Sequence, residues 1–135
     1  MFKQVHVFRV KPGAELTAGI ADYCRRHGIT SGVVLGIIGS LKSARLNYLV
    51  ELPGKYVPQD YAGPLEIVAA QGSIARKDGE TLLHVHIQLS SRAGCFGGHL
   101  AAGEVFSTAE VAIGELAQQL TRYTDDYTGL NELAE

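Results

Sequence analysis

The sequence predicts a small α/β domain in which a helix follows an N-terminal strand and further strands make up most of the remaining chain. The length of 135 residues suits one domain. In the N-terminal part, alternation of polar and apolar residues is followed by apolar residues at helical spacing. Runs of β-branched residues, separated by glycine and proline, come after them. Hydrophobic residues make up 46% and charged residues 19% of the chain, a balance typical of a globular protein rather than a disordered one.

The N-terminal part contains one predicted strand and the clearest predicted helix. Residues 2–10 alternate in polarity, which is typical of a strand, and Pro12-Gly13 ends the run. From Ala14 to His27 apolar residues recur at helical spacing. Basic residues in the last turn complement the helix dipole, and Gly28 is a natural stop. We therefore expect a helix over residues 14–27.

The rest of the chain is typical of strands. Asp78-Gly79 is a strong hairpin signal between two of them. A loop is expected over residues 55–63, and residues 115–123 can alternatively form a short helix. The polar tail 124–135 is expected at the periphery of a single domain spanning residues 1–135. The predicted strands are residues 29–38, 44–52, 65–75, 81–89, 97–100 and 108–116.

Charge and targeting patterns narrow the classes of function. The formal charge is −2, from 12 basic and 14 acidic residues, so the chain has no overall basic surplus for binding DNA phosphates. Cys24 and Cys95 form no CxxC motif and predict free thiols. No signal-peptide pattern follows Met1, and the apolar run 33–38 is too short to cross a bilayer, so we expect a cytoplasmic protein.

A histidine cluster is the strongest chemical signal. Three of the five histidines, His84, His86 and His99, fall within sixteen positions. His84 and His86 lie two apart on a predicted strand and therefore project from the same face. The polar run 90–94 can turn the chain back toward this pair.

The register of that turn decides whether His99 joins the pair. If residues 91–92 form the centre of the turn, His99 lies opposite His84. If residues 92–93 form it, His99 lies opposite His86, and in either case all three imidazoles share one face. A turn centred on Arg92 alone would place His99 opposite the intervening valine, with its side chain on the reverse face.

Three convergent imidazoles would suit a divalent metal. Neutral histidine binds zinc, as well as nickel, cobalt and ferrous iron, and three protein ligands leave a coordination position open. Cys95 shares strand parity with His99, although nothing requires its approach to the metal. The alternative is that the histidines are half-buried sheet residues bonded to backbone or water. His6 and His27 are expected to be ordinary surface or helix-end residues.

Several segments resemble the plants-and-prokaryotes-conserved (PPC) domain family. The most specific are the His84-Val85-His86 pattern and the Gly97-Gly98-His99 pattern. The resemblance also includes the segments 31–41, 63–67 and 71–74 and extends over most of the chain.

This resemblance implies a mainly antiparallel β-sheet flanked by helices and assembled as a homotrimer. It also implies a metal, with zinc as the expected ion, on the positions matched by His84, His86 and His99. Prokaryotic members of the family are often described as DNA-binding. The chain has no Arg-Gly-Arg core of an AT-hook. The basic candidates for a DNA contact are Arg25, Arg26, Lys42 and Arg45, which can equally form a solvated face.

Three functions remain open at this point. A regulatory module that associates with DNA or a protein partner is favoured over catalysis. The alternative is a metal-dependent enzyme, a hydrolase or lyase that acts on a small molecule through a metal-bound water, with Glu66 or Glu104 as candidate acid or base. The third is an oligomeric scaffold in which glycine-punctuated strands pack across subunits.

Overall fold

The computed structural model describes residues Met1–Glu135 and consists mainly of antiparallel strands with one helix. The helix, α1, lacks the length and hydrophobicity that are needed to span a membrane. The elements are β1 (Phe2–Val10), α1 (Leu16–His27), β2 (Gly32–Glu51), β3 (Lys55–Lys77), β4 (Glu80–Ser91), β5 (Gly94–Leu116), β6 (Arg122–Thr124) and β7 (Asn131–Leu133).

Five strands form the main sheet in the order β1-β5-β2-β3-β4, and β4 also pairs with β5. The strands β2, β3, β4 and β5 therefore form a closed ring, and β1 pairs with β5 outside it. The small β6–β7 hairpin forms a separate two-stranded sheet. The predicted fold class, a mainly antiparallel β-sheet flanked by helices, is confirmed, although one helix rather than several accompanies the sheet.

The helix begins at Leu16 because Glu15 caps it. The Glu15 carboxylate accepts hydrogen bonds from the backbone N–H groups of Thr17 and Ala18, which have no partner inside the helix. Gly28 ends the helix in a left-handed conformation with φ 67°. The apolar stripe of α1 is buried against β1 and β5.

The prediction of a loop over residues 55–63 is wrong, because this segment is the first part of β3. It pairs with β2 through pairs such as Pro58 opposite Asn47, whereas the pairing of β3 with β4 begins only at Glu66. Residues 55–63 are therefore an edge, where proline is tolerated because its missing N–H would face outward.

Two further expectations differ from the structure. The strands predicted at 29–38 and 44–52 are one continuous strand, β2, and those at 97–100 and 108–116 are both part of β5. The alternative helix at 115–123 does not form. Strand β5 runs to Leu116, and residues 117–120 have no regular structure. Ser31 binds both parts, since its backbone oxygen accepts from Leu116 N–H and its hydroxyl oxygen accepts from Leu120 N–H.

The hairpin predicted at Asp78-Gly79 is confirmed. Asp78 and Gly79 have φ values of 50° and 83°, the pattern of a turn whose twist matches the two flanking strands. This turn joins β3 to β4 and sets the register in which Ser73 lies opposite His84.

Candidate metal centre

The β4–β5 hairpin brings the three histidines of the cluster together. Ser91 pairs with Gly94 and His86 pairs with His99, so residues 92–93 are the centre of the turn. This is one of the two registers that were expected to place the imidazoles on one face. Beyond His99, β5 leaves β4 and continues beside β2, where His99 lies opposite Asn47.

The geometry of the cluster is compact. One ligand nitrogen from each histidine can be chosen so that all three lie within 4.8 Å of one another. The ring centroid of His84 lies 5.0 Å from that of His86 and 4.9 Å from that of His99. His84 and His99 are half-buried, and His86 is exposed at the rim.

The surroundings favour the neutral form of His84 and His99. Burial, together with charge repulsion from His99, His86 and Arg122, lowers the pKa of His84 to about 4, while Glu132 opposes these effects. Burial also lowers the pKa of His99, with a further contribution from His86. Neutral imidazole is the form that binds a metal.

His99 also has an unused buried nitrogen. Its Nδ1 atom is shielded from solvent and has no hydrogen-bond partner in the protein. A buried polar atom without a partner is costly, so a bound ligand at this position would relieve the cost. The donor set and this orphaned atom both fit a metal such as zinc.

A cavity of about 440 Å³ adjoins the cluster. His84 and His99 line one side of it, and residues of the C-terminal hairpin, including Arg122 and Glu132, line the other. A second cavity shares His84, Arg122 and Glu132 with the first and is also lined by His86. Neither Arg122 nor Glu132 was a candidate from the sequence, because their polar segment carries no motif that indicates proximity to the histidines.

The carboxylates proposed as acid or base lie elsewhere. Glu104 faces Lys42, with 3.5 Å between the carboxylate oxygen and Nζ, and Glu66 is exposed on β3 opposite Ser90. Neither residue lines the cavities beside the histidines. The acidic group that shares these cavities with the histidines is Glu132.

Cys24 and Cys95 are both free thiols, as expected. Burial raises the pKa of Cys24 to about 11, so it is an unreactive core residue. Cys95 is exposed opposite Ser90 and accepts a hydrogen bond from Gln88, and it does not belong to the histidine cluster.

The expectation that His6 lies at the surface is wrong, because His6 is buried. Its Nε2 lies 3.0 Å from Glu115 and its Nδ1 lies 3.3 Å from the Tyr23 hydroxyl. It therefore joins β1, β5 and α1. His27 is exposed at the end of the helix, as expected, where Nδ1 donates to the Tyr23 carbonyl.

The four basic residues considered for DNA contact all face carboxylates. Arg25 and Arg26 pair with Asp22, Lys42 pairs with Glu104, and Arg45 pairs with Asp60. Their charges are offset locally, so they form no uncompensated basic patch.

The fold and the cluster together define a sheet-rich domain with three convergent histidines suited to a divalent metal. The sequence model of the Plants and Prokaryotes Conserved (PCC) domain, also abbreviated PPC, matches residues 1–117. The chain therefore belongs to the PPC domain family.

Solved structures agree with this assignment. A PPC protein from Pyrococcus horikoshii is 30% identical, with a TM-score of 0.90 over 100% of this chain and 94% of that one. A metal-containing protein from Archaeoglobus fulgidus is 27% identical, also with a TM-score of 0.90, over 100% and 96%.

A candidate DNA-binding protein from Bacteroides thetaiotaomicron has a TM-score of 0.91 over 99% and 96% of the two chains. At 20% identity it supports the fold alone. No curated protein matches the sequence significantly.

Proposed function

We propose that this protein is a homotrimeric PPC-domain module that binds one zinc ion per chain through His84, His86 and His99 and has a regulatory role. The observation that carries the proposal is the convergence of three imidazole nitrogens within 4.8 Å. The similarity to a metal-containing protein from Archaeoglobus fulgidus supports a metal at such a site.

Zinc suits this donor set best. Zinc commonly takes neutral imidazole ligands in a tetrahedral arrangement, and three protein ligands leave one position open. When held by these histidines, it would supply a Lewis acid beside the cavity that His84 and His99 line. The lowered pKa values of His84 and His99 favour zinc binding at neutral pH, since little proton release is needed.

The trimer is proposed from an exposed apolar sheet face together with the family resemblance. The side chains of Val7 and Ile38 are 72% and 71% exposed on a single chain. The register places Val7 beside Ala112 and Ala112 beside Gly36. Ile38 lies two residues after Gly36 on the same strand, so Val7 and Ile38 share one face. We define the apolar face as Val5, Val7, Leu35, Ile38 and Val68, all of them exposed.

The regulatory role requires a partner, either DNA or a protein. A gel-shift titration across salt separates the two, because binding through phosphates weakens steeply as salt increases. The carboxylate-paired basic residues favour a protein partner over DNA.

A metal-dependent hydrolase or lyase is the second candidate function. The observation that favours it is the 440 Å³ cavity, which has the size of a small-molecule site. In this case Glu132 would move a proton and Arg122 would orient the substrate.

Elemental analysis of purified protein tests the zinc site. We expect about one zinc ion per chain in the wild type and nearly none in His84→Ala, since removing one of three ligands leaves too few donors. His27→Ala is the matched control, because His27 lies outside the cluster at the end of α1, and it should retain full zinc. Equal zinc content in the two variants, or none in the wild type, would contradict the proposal.

A further inference from the structure

The cavity beside the histidines has a mixed lining, in which four of the twelve residues are hydrophobic. Its lining includes Leu82, Leu83 and Leu130 together with the side chains of Tyr56 and Asn131. A cavity that combines an apolar wall with convergent polar groups can hold a small organic molecule that has both an apolar and a polar part.

Arg122 supplies the positive charge of this cavity. Its Nη1 donates to the Asn131 carbonyl at 2.8 Å, and its Nη2 donates to the Ser73 hydroxyl at 2.7 Å. Its Nε is buried and has no partner. These bonds fix the guanidinium in place and leave further N–H groups free, since a guanidinium carries five donors.

The charge of Arg122 is not offset by an ion pair. Seven of the twelve lysines and arginines form ion pairs with carboxylates, and Arg122 is not among them. Burial lowers the pKa of its guanidinium, while the more distant Glu132 opposes that effect. A half-buried cation with spare donors is the group expected of an anion-binding site.

The guanidinium lies next to the histidine cluster. Its partner Ser73 is directly opposite His84 in the β3–β4 register. Directly opposed residues in antiparallel strands have Cα atoms about 4.5–5.5 Å apart. The remaining part of an anion bound by Arg122 would therefore lie beside His84 and His99.

We propose that this cavity binds a small organic monoanion, whose carboxylate is held by Arg122 and whose apolar part packs against the leucines. A carboxylate fits better than a phosphate because the cavity offers one guanidinium and also contains Glu132, which repels a dianion more strongly than a monoanion. This inference rests on the proposed function, since it places the ligand beside the histidines that bind the metal.

The test uses the full-length protein with mandelate, an apolar 2-hydroxy acid, and mandelamide, its uncharged analogue. Calorimetric titration should show mandelate binding about 10- to 100-fold more tightly than mandelamide, the difference expected from charge-assisted hydrogen bonds. Inorganic phosphate should bind more weakly than mandelate. Arg122→Gln should abolish the preference for mandelate, and Arg122→Lys should restore it in part, because lysine keeps the charge but not the paired donors.

Zinc content measured on the same samples separates the two proposals. If zinc is bound but mandelate and mandelamide bind equally, or if Arg122→Gln binds mandelate as tightly as the wild type, the anion site is wrong. If zinc is absent but the preference for mandelate depends on Arg122, the zinc site fails and the anion site stands. Should both Arg122 variants fail to fold by circular dichroism, the comparison of the two ligands on the wild type decides.

Discussion

At the scale of single residues, Glu15 links the helix to the sheet. Besides capping α1, its carboxylate accepts from the Gly103 backbone N–H at 2.9 Å and from the Thr17 hydroxyl at 2.6 Å. Burial alone would raise the pKa of Glu15, but these hydrogen bonds and those from Thr17 and Ala18 N–H together lower it. The charged form of Glu15 therefore stabilises the fold.

Glu15→Gln should lower the free energy of unfolding by about 1–2 kcal/mol, because it weakens the helix cap and the bond to Gly103. The folded pKa is depressed, so the contribution is fully present above about pH 4.3, the ordinary glutamate value, and is lost as pH falls through the lower folded pKa. Urea unfolding across pH measures both effects.

Glu80→Gln is the control for Glu15→Gln. Glu80 is exposed beside the β3–β4 turn and forms no ion pair, so its replacement should change stability by less than about 0.5 kcal/mol. Equal effects of the two substitutions would show that Glu15 has no special role.

Local periodicity predicted part of the site and could not predict the rest. His84 and His86 share a strand face by alternation, and the short turn leaves few registers for His99. Arg122 and Glu132 reach the cluster through the packing of the C-terminal hairpin, a contact between segments far apart in the sequence. No local sequence pattern predicts such a contact.

At the scale of elements, closely approaching strands depend on glycine. A Cβ atom at Gly97 would lie 2.7 Å from the Ile87 carbonyl oxygen, and one at Gly98 would lie 3.1 Å from the Tyr48 ring. The two glycines before His99 therefore let β5 pass close to β4 and β2. This explains the Gly97-Gly98-His99 pattern in physical terms.

Gly97→Ala should displace β5 from β4 and move His99 away from its partners. We expect a loss of about 1–3 kcal/mol in stability from the overpacking, together with weaker zinc binding in competition with a chromophoric chelator. Gly94→Ala is the matched control in the same strand, because a Cβ atom there meets nothing within 4 Å. Unchanged zinc affinity in Gly97→Ala would contradict this account.

The continuous strands show a limit of prediction at this scale. Glycines 36, 39 and 103 look like breaks in the sequence, yet they lie inside β2 and β5. At Gly39 a Cβ atom would lie only 1.9 Å from the Thr108 carbonyl oxygen. Such glycines allow a long strand to bend beside a neighbour, and periodicity alone cannot distinguish this role from that of a turn.

At the scale of the whole molecule, α1 covers one face of β1 and β5, and the opposite face of the sheet exposes apolar side chains. On β1, His6 and Val10 are buried, whereas Val5 and Val7 are exposed. Large exposed apolar patches are typical of interfaces. The apolar face fits the proposed trimer, because contact with another copy of the chain would bury its exposed side chains.

A double variant, Val7→Glu with Ile38→Glu, should dissociate the proposed trimer. Placing two charges on the apolar face makes burial costly, so the mass in analytical ultracentrifugation should fall to that of one 14.5 kDa chain. Tyr127→Glu, at an exposed position between β6 and β7, should keep the trimeric mass. A monomeric wild type would overturn the assembly.

The β6–β7 hairpin has a consequence for how this protein could diversify. The family match ends at residue 117, whereas the hairpin whose residues line part of the cavity begins at Arg122. Substitutions confined to this terminal segment would reshape what the cavity accepts without altering the strands that carry the histidines. Ligand preference could therefore change while the three histidines stay in place, and grafting the terminal segment of one relative onto another would transfer the cavity lining that it contributes.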